Sequence, residues 1–250
     1  MQRIIMHMDL DSFYASVEEK RNPDLAGKPI VICVFSGRSA DSGAVATANY
    51  KARELGIKAG IPITAAKRLA SDETVFLPND IEYYREVSER IMELIEEDCD
   101  SLEQASVDEA YMDVTNKSLG MWENAEKIAK DIKNNIKEHE RLTCSIGIGP
   151  NKLIAKMASK LKKPDGLTVI KDEDVYKFLE NLEIRKIHGI GGKTAEILNS
   201  LGIKTAKDLA HFNPLLLEER IGKNKTKLLQ EKAQGADNTP VEQKEAQQIS

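Results

Sequence analysis

The chain lacks any apolar run of eighteen residues, and its opening stretch MQRIIMHMDLD meets an acid at residue 9. Both features argue against a transmembrane helix and against a cleaved signal sequence. Cysteine is scarce: Cys33, Cys99 and Cys144 are odd in number, widely spaced and form no CxxC. They fit reduced thiols in a cytoplasmic protein, and neither a disulfide frame nor a zinc site. Net positive charge is missing too, since 36 Lys and Arg against 41 Asp and Glu leave −5, which alone suggests no nucleic-acid partner. With 41% hydrophobic and 31% charged residues the composition is that of a folded, soluble protein. Its 250 residues can bury a sizeable core and make two or three small domains.

The charge that is present is unevenly placed. Residues 80–109 hold twelve Asp or Glu against two Arg, whereas 152–163 hold five Lys and no acid. Such runs are ordinarily solvated helix faces, but a protein that avoids DNA in one place and grips it in another has the same pattern.

Apolar stretches bounded by turn signals predict strands at 3–10 and 28–36. A helix is expected over 11–22, capped by Asp11 or Ser12, with two short helices in ANYKARELGI and ITAAKRLASD. Residues 80–100 carry Tyr84, Val87, Ile91, Leu94 and Ile95 on one helical stripe. Strand signals at 102–107 and 110–114 precede a helix over 122–140, a strand over 142–149, a helix over 151–163 and a last short strand in GLTVIKD. This order is α+β, the split pattern of a ferredoxin-like sheet, with 13–79 inserted after its first strand. From 171 onward short helices with Gly-rich joints take over, and the polar end from Gly235 reads as a linker.

The stretch ASVDEAYMD sets Asp108 beside Glu109 within a strand-like alternation. Neighbours on an ideal strand face opposite ways, and two carboxylates sharing a site repel. At a turn between two strands both can reach one point. Asp9, ending an apolar strand, supplies a third acid that is costly unless paired or metal-bound. Hard Mg²⁺ tolerates such a cluster, and two such ions suit phosphoryl or nucleotidyl transfer. Spacing alone leaves nuclease, cyclase and polymerase open. Asp11 and Asp113 are explained by a cap and a strand-edge charge, and His7 reads as a core histidine.

Seven stretches in order resemble the Y-family DNA polymerases, the lesion-bypass enzymes of the polymerase IV type. They are MDLDSFYASVE, GKPIVICVFSGR, DSGAVATANYKAR, GIKAGIPI, ASVDEAYMD, SIGIGPNKLIAKMASKLKKPDG and IHGIGGKTAEIL, and the resemblance they carry covers essentially all of residues 1–235. The resemblance implies a catalytic palm (1–12 and 80–170), a small α/β fingers insertion (13–79) and an all-helical thumb with a helix-hairpin-helix (171–237). Residues 238–250 would be a linker, with the usual C-terminal little-finger domain absent. It also implies an error-prone, template-directed DNA polymerase that joins dNMP to a primer 3′-hydroxyl and releases pyrophosphate.

Carried over residue by residue, Asp9, Asp108, Glu109 and the backbone carbonyl of Leu10 would hold two Mg²⁺ ions. Phe13 and Tyr14 would contact the incoming dNTP, with Tyr14 the steric gate against a 2′-hydroxyl. Thr47, Tyr50 and Arg53, spaced around a helix start, and Lys163 would contact the triphosphate. Val34, Ala44 and Ala46 would form a low roof over the nascent pair. Lys152, Lys156, Gly189, Gly191, Lys193 and Thr194 would hold primer–template DNA by its backbone. The implied partners are primer–template and dNTP, with a sliding clamp in a full-length form only. No membrane contact is expected, and the chain is expected to be a cytoplasmic monomer. A nucleotide cyclase on a related palm and a non-catalytic DNA-binding scaffold are the competing readings.

Overall fold

The structure, a computed structural model, describes residues 2–37 and 41–242. No helix among them is long and apolar enough to cross a membrane. The first strand, β1 (Ile5–Leu10), is buried along its whole length. It is followed by α1 (Phe13–Arg21), β2 (Ile30–Phe35), β3 (Gly43–Ala48), α2 (Tyr50–Glu54), α3 (Ile63–Leu69) and β4 (Val75–Pro78). Two long helices, α4 (Ile81–Glu96) and α5 (Trp122–Glu140), bracket the hairpin of β5 (Ser101–Gln104) and β6 (Glu109–Asp113) in the sequence. Then come β7 (Cys144–Gly149), α6 (Lys152–Ser159) and β8 (Leu167–Val169). Helices complete the order: α7 (Val175–Glu180), α8 (Gly192–Ser200), α9 (Ala206–His211), α10 (Pro214–Ile221) and α11 (Lys223–Ala233).

The larger sheet has the order β5-β6-β1-β7-β8, with β6 antiparallel to both β1 and β5. Its first four strands follow the ferredoxin-like order that the split pattern predicts, and β8 extends the edge parallel to β7. The smaller sheet, β3-β2-β4, belongs to the 13–79 insertion. Two of its strands, β3 (GAVATA) and β4 (VFLP), carry no strand expectation above. Small residues and a four-residue length leave little periodic signal to find.

The described residues form two compact units. One comprises those within Met1–Asp9, Ile95–Lys133 and Ser145–Ser250; the other, those within Leu10–Leu94 and Asn134–Cys144.

In the first unit, Leu153, Ile154 and Met157 of α6 share one core with Leu179, Leu198, Leu209, Leu217 and Leu229 of the C-terminal helices. The seat of α6 depends on Gly147: a Cβ there would overlap the Ala155 carbonyl and the Ser159 amide. Only a residue without a side chain lets the strand and helix backbones come this close. The end expected to be a loose linker is docked over 235–242. Asp237 accepts from the Leu153 amide at 3.0 Å, Asn151 donates to the Gly235 carbonyl at 2.8 Å, and Val241 is buried beside Ile5, Tyr111 and Ala155. Residues 243–250 of that expected linker lie outside the described residues.

In the second unit, Val31, Cys33, Val45, Ala48, Ala52, Ile57, Ile63 and Ala66 make the core of the small sheet and its helices. A register shift between Ile32 and Cys33 skips Ala46, so Ala46 and Thr47 both stay half-buried between the buried Val45 and Ala48. Elsewhere in this unit, Glu140 takes Lys20 at 2.5 Å and Arg90 at 2.9 Å. Burial pushes its carboxyl upward, yet the hydrogen bonds from Arg90 and Lys20 outweigh that and hold it below the usual range. None of the three cysteines forms a disulfide.

Two stability changes are expected. Gly147→Ala should cost more than about 2 kcal/mol, read as a lower urea midpoint, because backbone atoms must move. Glu140→Gln should cost about 1–2 kcal/mol at pH 7, since Lys20 and Arg90 keep partial solvent contact. A depressed carboxylate stabilises above its unfolded pKa and loses that contribution as pH falls through the folded one. The gap between wild type and Glu140→Gln should therefore close toward pH 3.

Candidate active site

Strand β1 ends in Asp9 and Leu10, and β6 begins at Glu109. The antiparallel register pairs Asp9 with Glu109 and His7 with Tyr111. Directly opposed residues share a sheet face, so two carboxylates confront one another. Asp108 precedes β6 in the link from β5, where strict alternation does not hold, and this answers the objection to adjacent acids. Its carboxylate accepts from the Ser106 hydroxyl at 2.6 Å.

Two lysines compensate Asp9 and Glu109, and a third pairs with an acid on β5. Lys163 pairs with Asp9, Lys156 with Glu109 at 2.8 Å, and Lys152 with the buried Glu103 at 2.6 Å, the last also lying 4.6 Å from the Tyr111 ring centroid. The Asp9 carboxyl is nevertheless pushed up to about 6. Burial is the main cause; Lys163 pulls the other way, and Glu109 and Asp108 add to the rise. His7 is fully buried, with Nδ1 2.9 Å from the Ser159 hydroxyl. Burial, then Lys156, Lys160 and Lys163, hold its pKa well below the ordinary value, so it is a neutral core side chain.

Among the described residues, no group of three His, Cys, Asp or Glu is arranged to hold a metal ion. Chemically, Asp9 and Glu109 on adjoining strands with Asp108 in the link beside them still suit a hard divalent cation. Lys163 and Lys156 now hold oxygens of Asp9 and Glu109 that such an ion would take.

The proposed nucleotide contacts lie in the second unit. Phe13 is buried and Tyr14 half-buried at the start of α1. Ser12 stands at the helix cap position in a left-handed conformation (φ 46°) and makes no side-chain cap bond. The Asp11 carboxylate accepts from the Thr143 hydroxyl at 3.1 Å and the Tyr50 hydroxyl at 3.4 Å. Thr47 is on β3, not at the helix start, because Asn49 caps α2 and the strand runs to Ala48. The skipped register at Ala46 is what leaves Thr47 half-exposed. Arg53 donates to the Ala48 carbonyl at 2.8 Å, its guanidinium 5.3 Å from the Tyr50 ring centroid. Val34 and Ala44 are register partners on the exposed face of the small sheet, Val34 being 53% exposed, and Ala46 is half-buried.

The Gly-rich turn is in the first unit. Gly189 has φ +96°, a conformation that favours glycine, and Gly191 precedes α8 as its cap. Lys193 is exposed, whereas Thr194 is buried and accepts from Lys225 at 2.8 Å. A cavity of about 660 Å³ is lined by Lys152, Lys156, His188, Lys232, Tyr111 and Asp237 among others. Sequence reasoning assigned Lys156 to DNA alone; its place beside Glu109 had one faint signal, the i, i+4 spacing from Lys152 on one helix face.

An α+β fold with a ferredoxin-like acid-bearing sheet and a glycine-hinged helical region defines a class. Residues 8–160 match the impB/mucB/samB family and 172–203 the helix-hairpin-helix motif of the same family. The chain belongs to this family, the Y-family of DNA polymerases. Among its relatives, a protein of Methanosarcina acetivorans named DNA polymerase IV is 48% identical over 98% of this chain and 68% of its own length. Another of that name, from Saccharolobus solfataricus, is 46% identical over 96% of this chain and 68% of its own. Of the solved structures, a Y-family chimera of Dbh and Dpo4 superposes with TM-score 0.92 at 45% identity, covering 97% of this chain and 70% of that one. An insertion ternary complex of Dbh DNA polymerase gives 0.90 at 46% identity, over 96% and 69%.

The raised Asp9 carboxyl implies a stability cost. Folded, it keeps its proton to higher pH than unfolded, so stability falls as pH rises from about 4 to about 6. At roughly 1.4 kcal/mol per pH unit, the cost reaches about 2–3 kcal/mol at pH 8. Asp9→Asn is therefore expected to melt a few degrees higher than wild type at pH 8, with a smaller gain at pH 5 and none near pH 3.

Proposed function

We propose that the chain is a template-directed DNA polymerase of the error-prone translesion type, adding dNMP to a primer 3′-hydroxyl and releasing pyrophosphate. The observation that carries this reading is the facing of Asp9 and Glu109 across β1 and β6 with Asp108 adjacent. It occurs in a chain nearly half identical to proteins named DNA polymerase IV.

Asp9, Asp108, Glu109 and the Leu10 carbonyl would hold two Mg²⁺ ions, which when bound activate the primer hydroxyl and stabilise the leaving pyrophosphate. Lys163, released from Asp9, is a cation for triphosphate oxygens, and Lys156 steadies Glu109. Phe13 and Tyr14 meet the sugar, where the Tyr14 ring collides with a 2′-hydroxyl. Thr47, Tyr50 and Arg53 contact phosphates. Val34, Ala44 and Ala46 are too small to check pair shape closely, which accounts for error-prone synthesis. Gly189, Gly191 and Lys193 hold the DNA backbone without reading sequence, whereas Lys152, Lys156 and Thr194 would first have to release Glu103, Glu109 and Lys225 to reach it. Palm, fingers and thumb keep the boundaries inferred above. Primer–template DNA and dNTP are the partners, the chain acting as a cytoplasmic monomer; a sliding clamp would bind a full-length form.

Primer extension with dNTPs and Mg²⁺ tests the reading. Asp108→Ala should lower extension by at least 10³-fold while primer–template affinity stays within a few-fold. Equal loss of binding and extension would assign the acids to folding. Nucleotide turnover without a template would favour the cyclase.

A further inference from the structure

Nε2 of His7, in the first unit, is buried and has no hydrogen-bond partner among the described residues. It lies 4.0 Å from Oε1 of Glu109, whose Oε2 takes Lys156 at 2.8 Å. The edge of the Tyr111 ring packs against the imidazole, with centroids 4.7 Å apart at 62°.

The hydrogens around His7 can be counted. The Ser159 hydroxyl has one, and its oxygen lies 2.9 Å from both the Lys156 carbonyl and His7 Nδ1. A carbonyl can only accept. The Lys160 amide, which would serve that carbonyl in a continuing helix, turns instead to Met157 at 3.3 Å. The hydroxyl hydrogen therefore goes to the Lys156 carbonyl, and His7 Nδ1 must donate to Ser159 Oγ. Burial, then Lys156, keeps His7 neutral, so its one N–H is on Nδ1. Nε2 is left with a bare lone pair beside a carboxylate. A buried acceptor without a donor is costly. The donor this site holds is the Lys156 ammonium, which has three hydrogens and uses one on Glu109 Oε2.

We propose that His7 is a positioning residue for Glu109: its bare Nε2 is the second acceptor of the Lys156 ammonium and receives it when Glu109 turns its oxygens to a divalent cation. This rests on the reading of the acids given above. A neutral acceptor holds the lysine without adding charge to the site, as a further carboxylate would. Without it, binding a cation at Glu109 displaces an ammonium that has no other buried acceptor. His7 acts through Lys156 and touches neither nucleotide nor cation.

Two measurements test this. The first is the His7 tautomer, read from long-range proton–nitrogen correlations of metal-free protein carrying isotope-labelled histidine. The chain has four histidines, and the signals lost in His7→Phe are those of His7. Nδ1 should carry the hydrogen in the wild type. In Ser159→Ala, where Nδ1 loses its acceptor, the hydrogen should move to Nε2. A hydrogen on Nε2 in the wild type would overturn the proposal.

The second is the affinity of the DNA-free chain for Mn²⁺, a hard cation visible by electron paramagnetic resonance. His7→Phe fills the space but cannot accept, and should weaken binding about tenfold. Ser159→Ala should weaken it similarly, and carries the test should the phenylalanine variant not fold. His7→Gln can present an amide oxygen near the Nε2 position and should keep affinity within about threefold, a rescue that lost packing would not give. In a Lys156→Met background His7→Phe should have no further effect, because the ammonium it serves is gone. Equal weakening in both backgrounds would overturn the proposal. So would unchanged affinity in His7→Phe and Ser159→Ala beside a loss in Asp108→Ala, which leaves the reading of the acids standing and makes His7 a packing residue. If Asp108→Ala binds Mn²⁺ as the wild type does, the reading of the acids fails and the proposal with it.

Discussion

Two carboxylates facing each other across neighbouring antiparallel strands are the constraint on which the first unit depends. Opposed like charges destabilise a strand pair, and here Asp9 is buried and Glu109 half-buried. The chain compensates them with lysines from a single short region. Lys156 is on α6, and Lys163 follows it. That compensation requires α6 to lie against β7, and this in turn requires Gly147. Replacing any one part leaves an uncompensated charge or a displaced helix. The Asp9 carboxyl is raised even so, chiefly by burial, with Glu109 and Asp108 adding to the rise. Under the proposed reading, the remaining negative charge is what a hard divalent cation would neutralise.

This changes the meaning of the lysine run at 152–163. As a sequence it resembles a patch for nucleic-acid phosphates. In the fold, three of its five lysines pair with Glu103, Glu109 and Asp9, while Lys160 and Lys162 are exposed. The acid-rich stretch before it and the lysine run are thus two sides of one electrostatic arrangement in part. The net charge of −5 conceals this because partners are separated by 47 to 154 positions along the chain.

The sequence made some features legible and left others hidden for physical reasons. Helix α5 has the expected bounds because its apolar period runs unbroken from Trp122 to Glu140. The sheet order followed from the alternation of strands and helices, and Asp9 and Glu109 stood out because acids interrupt apolar strands. The docking of 235–242 was hidden because much of it is made by backbone groups, such as the Gly235 carbonyl accepting from Asn151 and the Thr239 carbonyl accepting from Arg3. Such bonds need no particular residue type on the docked side. Thr47 was misplaced because a spacing rule for helices was applied across the strand end, where β3 runs to Ala48 and α2 starts only after its Asn49 cap.

The two units rely on different physics, and the difference bears on what each can do. Charge compensation in the first is responsive: it changes with pH, with ions and with any ligand that competes for a carboxylate. The second holds its exposed small-residue face and its Tyr14 ring by packing, by a β-bulge and by a stacked tyrosine tied to a buried glutamate. Packed interiors resist small displacements, so this unit can hold the Tyr14 ring in place. Chemistry at phosphate needs mobile charge, and selection of a sugar by exclusion needs a surface that does not yield. Under the proposed reading, keeping the carboxylates and the aromatic rings on separately stabilised cores lets each be held by the physics its task needs.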